Sequence, residues 1–445
     1  MKNTYREMKD CGVAWIGDIP QTWKKGRIKY NYFLKGRIGW QGLKADEFIE
    51  DGPYYLVTGT DFENGRIAWD RCYHISEQRF IEAPEIHIRK GDLLITKDGT
   101  VGKVALIDSL PHKASLNSHL LIVRPTSKLY DNVFLFWIFQ SSIFEKYCGL
   151  SQNGSIMASL SQEKMSNFSF PLPSLHEQTA IAAYLDEKCA AIDEIIAEAK
   201  ASIEEYKAWK SSVIFEAVTK GLDPHAEMKD SGVEWIGKVP RHWRMTKTKF
   251  CSSKIGSGKT PRGGAEIYAD SGVMILRSQN IYNTGLMLDN VSYISEEIDN
   301  EMANSRVFED DILLNITGGS IGRCCIYPAN FPHANVNQHV CIIRVIKDIM
   351  IPKLMLYIWM SDIGQKSIDI CQTGANREGM NFEQIGNTII PMMAYTEQQA
   401  IVNYLDEKCT AIDGIIAEKE DLIADMEAYK KSLVFETVTG KRKVC

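Results

Sequence analysis

The sequence predicts an α+β protein with a pseudo-two-fold internal repeat: two similar mixed α/β domains separated by two long helices that pack as an antiparallel coiled coil. Three observations carry this expectation. Residues 8–24 (MKDCGVAWIGDIPQTWK) return 220 positions later as residues 228–244 (MKDSGVEWIGKVPRHWR), with ten of seventeen positions identical. Residues 177–219 return as 397–439 with twenty-five of forty-three identical, and Asn117, His119 and Arg124 return as Asn337, His339 and Arg344. Both of the longer repeated segments are free of Pro and almost free of Gly, and they place apolar residues in steps of three and four. A period this long is a duplicated domain pair rather than a solenoid. The boundaries fall at 1–172 for the first domain, 173–225 for the first helical spacer, 226–392 for the second domain and 393–445 for the second spacer.

The region before each helix reads as short β runs bounded by Gly, Asp and Asn turns: residues 54–57, 92–96 and 119–123, answered by 273–276, 312–316 and 340–345. Trp15 and Trp23 stand at positions matched by Trp235 and Trp243, and are expected to be packing anchors. The helices follow. Pro171, Pro173 and Ser174 mark the start of the first, and Pro391 and Thr396 that of the second; Thr219, Gly221 and Pro224 end the first. Leu185, Cys189, Ile192, Ile196, Ala199, Ile203, Tyr206, Lys210 and Val213 form one seam. The other, with more polar interruptions, is Leu405, Cys409, Ile412, Ile416, Lys419, Ile423, Met426, Lys430 and Leu433. Both seams lie on one chain, so the simplest burial is against each other. The opposite face of the first helix is acidic (Asp186, Glu187, Asp193, Glu194, Glu198, Glu204, Glu205), which suits solvent or a partner.

Composition narrows the function. The 445 residues are 44% hydrophobic and 24% charged, in the ordinary globular range. The densest apolar run, residues 133–139, is far shorter than the roughly 18 residues of a membrane span, and the polar N-terminus is unlike a signal peptide. A cytoplasmic protein is expected. Eleven cysteines without CxxC spacing argue against a disulfide framework or a zinc knuckle. No metal is expected. The net charge of −6 is unevenly spread: residues 173–227 hold 11 Asp+Glu against 5 Lys+Arg, whereas residues 228–392 balance at 17 each. Between 241 and 262, Arg241, Arg244, Lys247, Lys249, Lys254, Lys259 and Arg262 occur with no carboxylate. That local excess suits a phosphate backbone, and a solvated loop is the alternative. A duplicated chain with two similar surfaces also matches a two-sided target such as duplex DNA.

The copies diverge where polar loops project. Residues 97–103 (KDGTVGK) answer to 316–323 (ITGGSIGR), one residue longer. Gly permits close backbone approach, and Lys, Thr, Ser and Arg donate hydrogen bonds to phosphates or base edges; a tight hairpin is the plainer alternative. The Asn-x-His pairs suit either nucleic-acid contact or the ordering of a strand entry. The candidate DNA-binding residues are Lys97, Thr100, Lys103, Asn117 and His119 in the first copy. In the second they are Lys259, Arg262, Arg277, Gln279, Asn280, Thr317, Ser320, Arg323, Asn337 and Gln338.

Three paired segments carry a family resemblance: the openings GVAWIGDIP and GVEWIGKVP, the loops GDLLITKDGTVGK and DDILLNITGGSIGR, and the helix entries LPSLHEQTAIAAYLDEKCAAID and MMAYTEQQAIVNYLDEKCTAID. Over essentially its whole length the chain resembles the specificity subunit of Type I restriction-modification systems. Met392, Met393, Ala394 and Tyr395 depart from the Leu-Pro-Ser-Leu of the first helix entry. The resemblance implies two target-recognition domains, each reading one half of a split double-stranded DNA site, with the helices as a ruler. It also implies a non-catalytic chain that docks two modification subunits, which carry S-adenosylmethionine and methylate adenine, and that joins restriction subunits.

Rival readings are weaker. Residues 255–260 (IGSGKT) look like the end of a P-loop, but the first glycine of that motif would fall on Ser253, and Pro261 opposes the helix that should follow. Neither an F-x-G-x-G loop nor an Asn/Asp-Pro-Pro-aromatic site is present for a methyltransferase acting alone, and no G-x-S-x-G elbow assembles a triad. Asp186-x-Lys188 resembles a nuclease pair but recurs as Asp406-x-Lys408 within the helical pattern, as a surface charge set would. The non-enzymatic rival is a duplicated protein-binding scaffold without DNA specificity.

Overall fold

The structure is a computed structural model and describes residues 5, 7–37, 42–152, 160–259, 267–372 and 379–444. It divides into two compact units, one of residues 1–199 with 420–445 and the other of residues 200–419. Each unit therefore holds one globular half and a length of each long helix. Those helices are Leu175–Lys220 and Tyr395–Val438, 46 and 44 residues long.

In the first unit a four-stranded antiparallel sheet has the order Val104–Leu106, Leu93–Thr96, Leu120–Pro125, Tyr32–Gly36. A three-stranded sheet lies alongside, in which Ala114–Leu116 runs parallel to Tyr54–Val57 and Tyr73–Ile75 antiparallel to it. The second unit repeats the larger sheet as Cys324–Ile326, Ile312–Asn315, Val340–Val345, Ser252–Ser257. Its smaller sheet gains the short strand Arg306–Val307. All six predicted strands are present.

Side-chain alternation explains why the central strands read as unbroken apolar runs. Leu93, Ile95, Leu121 and Val123 enter one core, whereas Leu94, Leu120 and Ile122 enter another. In the second unit Ile312, Leu314, Cys341 and Ile343 face one core, and Leu313, Val340 and Ile342 the other. A strand with apolar layers on both sides has no polar face to alternate with. Buried ion pairs tie these strands together: Arg124 meets both oxygens of Asp92 at 2.7 Å, and Arg344 does the same to Asp311.

Each globular half is fastened to its helix by the repeated motifs. Trp23 is buried and its indole N–H donates to Glu177 at 3.0 Å; Trp243 is buried likewise and donates to Glu397 at 2.9 Å. The next helical residue is a buried glutamine in both copies. Gln178 accepts from the Asp131 N–H and donates to the Leu129 and Pro173 carbonyls. Gln398 accepts from the Ile351 N–H and donates to the Ile349 and Met393 carbonyls. Further along the helices, Asp186 takes the Trp137 N–H at 2.8 Å and Asp406 takes the Tyr357 hydroxyl at 2.6 Å. The aspartates of the Asp-x-Lys repeat are thus structural fastenings, and Asp186 makes its bond while remaining exposed on the acidic face.

The helices end on glycines. Gly221 has φ +72°, and a Cβ there would meet Trp243 at 3.2 Å; Gly440 has φ +73°, and a Cβ there would fall 2.3 Å from Pro20. Left-handed backbone against a packed ring admits little else.

Within each unit the two helical stretches run antiparallel. In the first, Lys430 donates to both oxygens of Asp193 at 2.5 and 2.7 Å, and Arg442 lies against Tyr184. In the second, Lys210 donates to Asp413 at 2.7 and 2.6 Å, and Lys419 sits over the Tyr206 ring. The two ion pairs are images of one another at the 220-residue offset, so Asp193 is also engaged rather than free. Leu185, Ile192, Ile196, Ile203, Leu405 and Ile412 are buried, while Tyr206, Ile416, Ile423 and Met426 are half-buried. Cysteines behave as small hydrophobes: among the described residues all are free, and all but Cys371 are buried. Burial pushes the Cys189, Cys251 and Cys148 thiols up to about 11, which keeps them protonated and unreactive.

Candidate nucleic-acid interface

In each unit the candidate residues gather where the central strands end. In the first, the Lys97 N–H donates to the His119 carbonyl at 2.9 Å, and the Leu160 N–H donates to the Lys97 carbonyl at 2.8 Å. The loop that follows is closed by Thr96, whose hydroxyl donates to the Thr100 carbonyl at 2.5 Å and accepts from the Lys103 N–H at 2.9 Å. The tight hairpin and the projecting donor loop are therefore one structure. Thr100, Lys103 and His119 are exposed. Asp98 holds the centre, 3.8 Å from Lys97 Nζ and 3.5 Å from His119 Nδ1.

The second unit uses different chemistry on the same frame. Thr317 Oγ1 lies 2.6 Å from His339 Nδ1, and Gln338 Nε2 lies 2.9 Å from His339 Nε2. Both contacts are satisfied together when the ring carries its proton on Nδ1 and Gln338 donates. Asn315, buried, donates to the Ser278 carbonyl and to the Ser320 hydroxyl. Arg323 is exposed, its guanidinium 4.7 Å from the Tyr282 ring centroid. Arg277 lies over Tyr268 at 5.5 Å and donates to the Asn290 carbonyl, as does the exposed Gln279. Lys259 is exposed beside Gly258, whose N–H donates to the Asn337 carbonyl. Arg262 lies outside the described residues.

Two candidates have a structural duty and a third, Asn280, is corrected. Asn117 and Asn337 are buried, and their side-chain oxygens accept from the N–H of His119 and His339 at 3.0 Å. They order a strand entry, the plainer alternative. Asn280 is 1% exposed, accepting from the Arg277 N–H and donating to the Met287 carbonyl. In the first unit Asp61 holds the same turn through the Thr58 N–H, and burial raises its carboxyl. A buried amide with both ends engaged has no edge left for a base. The Asn-x-His pair and the 220-residue offset pointed to His339, which is left off the candidates although it is the hub of its loop; the Tyr282 platform and the Asn315 brace have no local signal in the sequence.

The P-loop rival fails on the backbone. Ser252–Ser257 is a strand of the large sheet, and a Cβ on Gly258 would fall 1.7 Å from the Val336 carbonyl oxygen. Among the described residues no cluster of His, Cys, Asp and Glu could hold a metal ion, and no helix is long and apolar enough to cross a membrane.

Residues 41–205 and 251–423 both match one family model, the Type I restriction modification DNA specificity domain. The chain belongs to this family. The Type I restriction enzyme MjaVIII specificity subunit of Methanocaldococcus jannaschii is 24% identical over 432 residues, covering 96% of this chain and 94% of that protein. The EcoBI specificity subunit of Escherichia coli is 24% identical over 295 residues, 63% of this chain and 60% of that protein. Among solved structures, a chain from work on complex assembly and conformational transition of the type I R-M system matches with TM-score 0.70 at 15% identity, covering 95% of this chain and 99% of that one. The HsdS subunit from Thermoanaerobacter tengcongensis matches with TM-score 0.50 at 16% identity, covering 95% and 98%. With two specificity domains and the family's fold, this chain is a DNA-recognition subunit.

Proposed function

We propose that each unit reads one half of a bipartite double-stranded DNA site through its own strand-end loops, while the long helices set the gap between halves and dock two modification subunits. One observation carries the reading. The two loop platforms share a frame, in which Asn117 and Asn337 pin equivalent turns, yet present different groups: Lys97, Thr100, Lys103 and His119 in one, Lys259, Gln279, Arg323 and Gln338 in the other. A common frame with different donors is what two readers of different sequences require. Lys and Arg hold phosphates or guanine, and Gln reads adenine. The chain is non-catalytic in this reading: S-adenosylmethionine belongs to the modification subunits, restriction subunits supply cleavage, and the assembly works in the cytoplasm.

Methylation-sensitive sequencing of DNA from cells carrying this chain with its modification subunit tests it. The expected result is one split motif with methylated adenine in both halves. Methylation without a motif, or no mobility shift of duplex DNA by the assembled complex, would instead favour a protein-binding scaffold.

A further inference from the structure

Each unit carries, away from its loops, an exposed ring with cations around it that no core uses. In the first unit these are Arg27, Lys29 and Tyr30; 220 residues on, in the second, they are Lys247, Lys249 and Phe250. Tyr30 is 69% exposed and Phe250 62%. Lys29 Nζ lies 4.9 Å from the Tyr30 ring centroid, and Lys249 Nζ lies 5.5 Å from that of Phe250. Both positions precede the edge strand of the large sheet, Tyr32–Gly36 or Ser252–Ser257, whose far end leads toward the loops.

The electrostatics suit an anion. Lys247 and Lys249 both donate to one neutral acceptor, Asn387 Oδ1, at 3.3 and 3.0 Å. Two ammonium groups on one amide oxygen repel each other, and an oxyanion beside them offsets that repulsion. Other cations of the chain, such as Lys210, Arg241, Lys353 and Lys430, are matched with carboxylates. Among the described residues, Arg27, Lys29, Lys247 and Lys249 make no ion pair. Comparison of the copies shows what is kept. Arg answers to Lys and Tyr to Phe, so charge and ring persist while donor pattern changes. Base reading depends on donor pattern; phosphate binding depends on charge.

We propose that these two segments are backbone clamps, one per unit, that hold phosphates of duplex DNA without reading its sequence. The proposal rests on the DNA-recognition reading above and adds a sequence-independent contact to it. The test is a salt titration of duplex binding by the full chain assembled with its modification subunit. The parent is compared with a variant carrying Arg27→Gln, Lys29→Gln, Lys247→Gln and Lys249→Gln. The slope of log K against log salt should become shallower by about 0.9 for each phosphate no longer neutralised, up to roughly 3.6. Over a fourfold rise in salt the parent then loses about two orders of magnitude more affinity than the variant. Duplexes with and without the recognition sequence should weaken by the same factor. Lys29→Arg with Lys249→Arg should keep the parental slope, and a thermal melt equal to the parent's confirms that the Gln variant is folded.

An unchanged slope overturns the clamp, as does weakening confined to the specific duplex, which would mean base reading. Weakened assembly with the modification subunit at an unchanged slope also overturns it and marks a protein contact. A parent complex that binds no duplex at all overturns the recognition reading and the clamp with it.

Discussion

Trp243 illustrates how one residue does two jobs that can be separated. Its ring fills the junction of helix and globular half, and its N–H answers the Glu397 carboxylate. Trp243→Ala should cost about 3–5 kcal/mol through the cavity. Trp243→Phe keeps most of the packing but takes the indole donor away from the Glu397 carboxylate, for about 1–3 kcal/mol. Urea unfolding distinguishes the two, and a Phe variant as stable as the parent would show that the hydrogen bond contributes nothing. Asp299 gives a pH-dependent counterpart. Burial works to raise its carboxyl, but hydrogen bonds from Arg306, Asn335 and His333 together hold it below the ordinary aspartate value. A carboxyl depressed on folding stabilises fully above its unfolded pKa and loses that contribution as pH falls through the folded one. The second unit should therefore lose stability progressively below about pH 4, and Asp299→Asn should flatten that acid limb in urea midpoints measured against pH. At this scale the sequence located polar residues at strand ends but not their duty. Asn is equally a turn former and a base reader, and only the engagement of both ends of the buried Asn280 amide separates the two there.

The long helices were the most legible elements, because a seam repeated every three or four residues is a local signal. Their observed limits, Leu175–Lys220 and Tyr395–Val438, lie within a few residues of the repeated segments at either end. The central strands were legible for the same reason. What escaped the sequence joins distant positions: Trp23 to Glu177, the parallel pairing of Ala114–Leu116 with Tyr54–Val57, and the Asn315 brace. No window along the chain contains both partners. The ion pairs between helical stretches, Lys210 with Asp413 and Lys430 with Asp193, are half-exposed on the carboxylate side. A double-mutant cycle on Lys210→Ala and Asp413→Ala should return a coupling of about 0.2–1 kcal/mol. Leu405→Ala, in the seam, should cost about 2–5 kcal/mol. A coupling larger than the Leu405 effect would mean that charge rather than apolar packing sets the helix register.

At the scale of the whole molecule, the duplication implies that recognition is modular, and the fold fixes where a module can be cut. Residues 228–392 hold the second globular half, but its fastenings lie beyond those limits: Gly221 packs on Trp243, Glu397 takes the Trp243 N–H, and Gln398 takes the Ile351 N–H. An exchanged domain must therefore bring a tryptophan at position 243, a free N–H at position 351 and a hydroxyl or indole donor at position 357 to meet Asp406. Given those, replacing residues 228–392 with the corresponding segment of another family member should change one half of the methylated site and leave the other half and the gap unaltered. Shortening both helices by one turn should do the reverse, keeping both half-sequences and changing the gap. Methylation-sensitive sequencing of the two variants reads both outcomes at once. Half-sequences that change together on domain exchange would mean that neither unit recognises DNA on its own, and a gap indifferent to helix length would remove the helices from the measurement of distance.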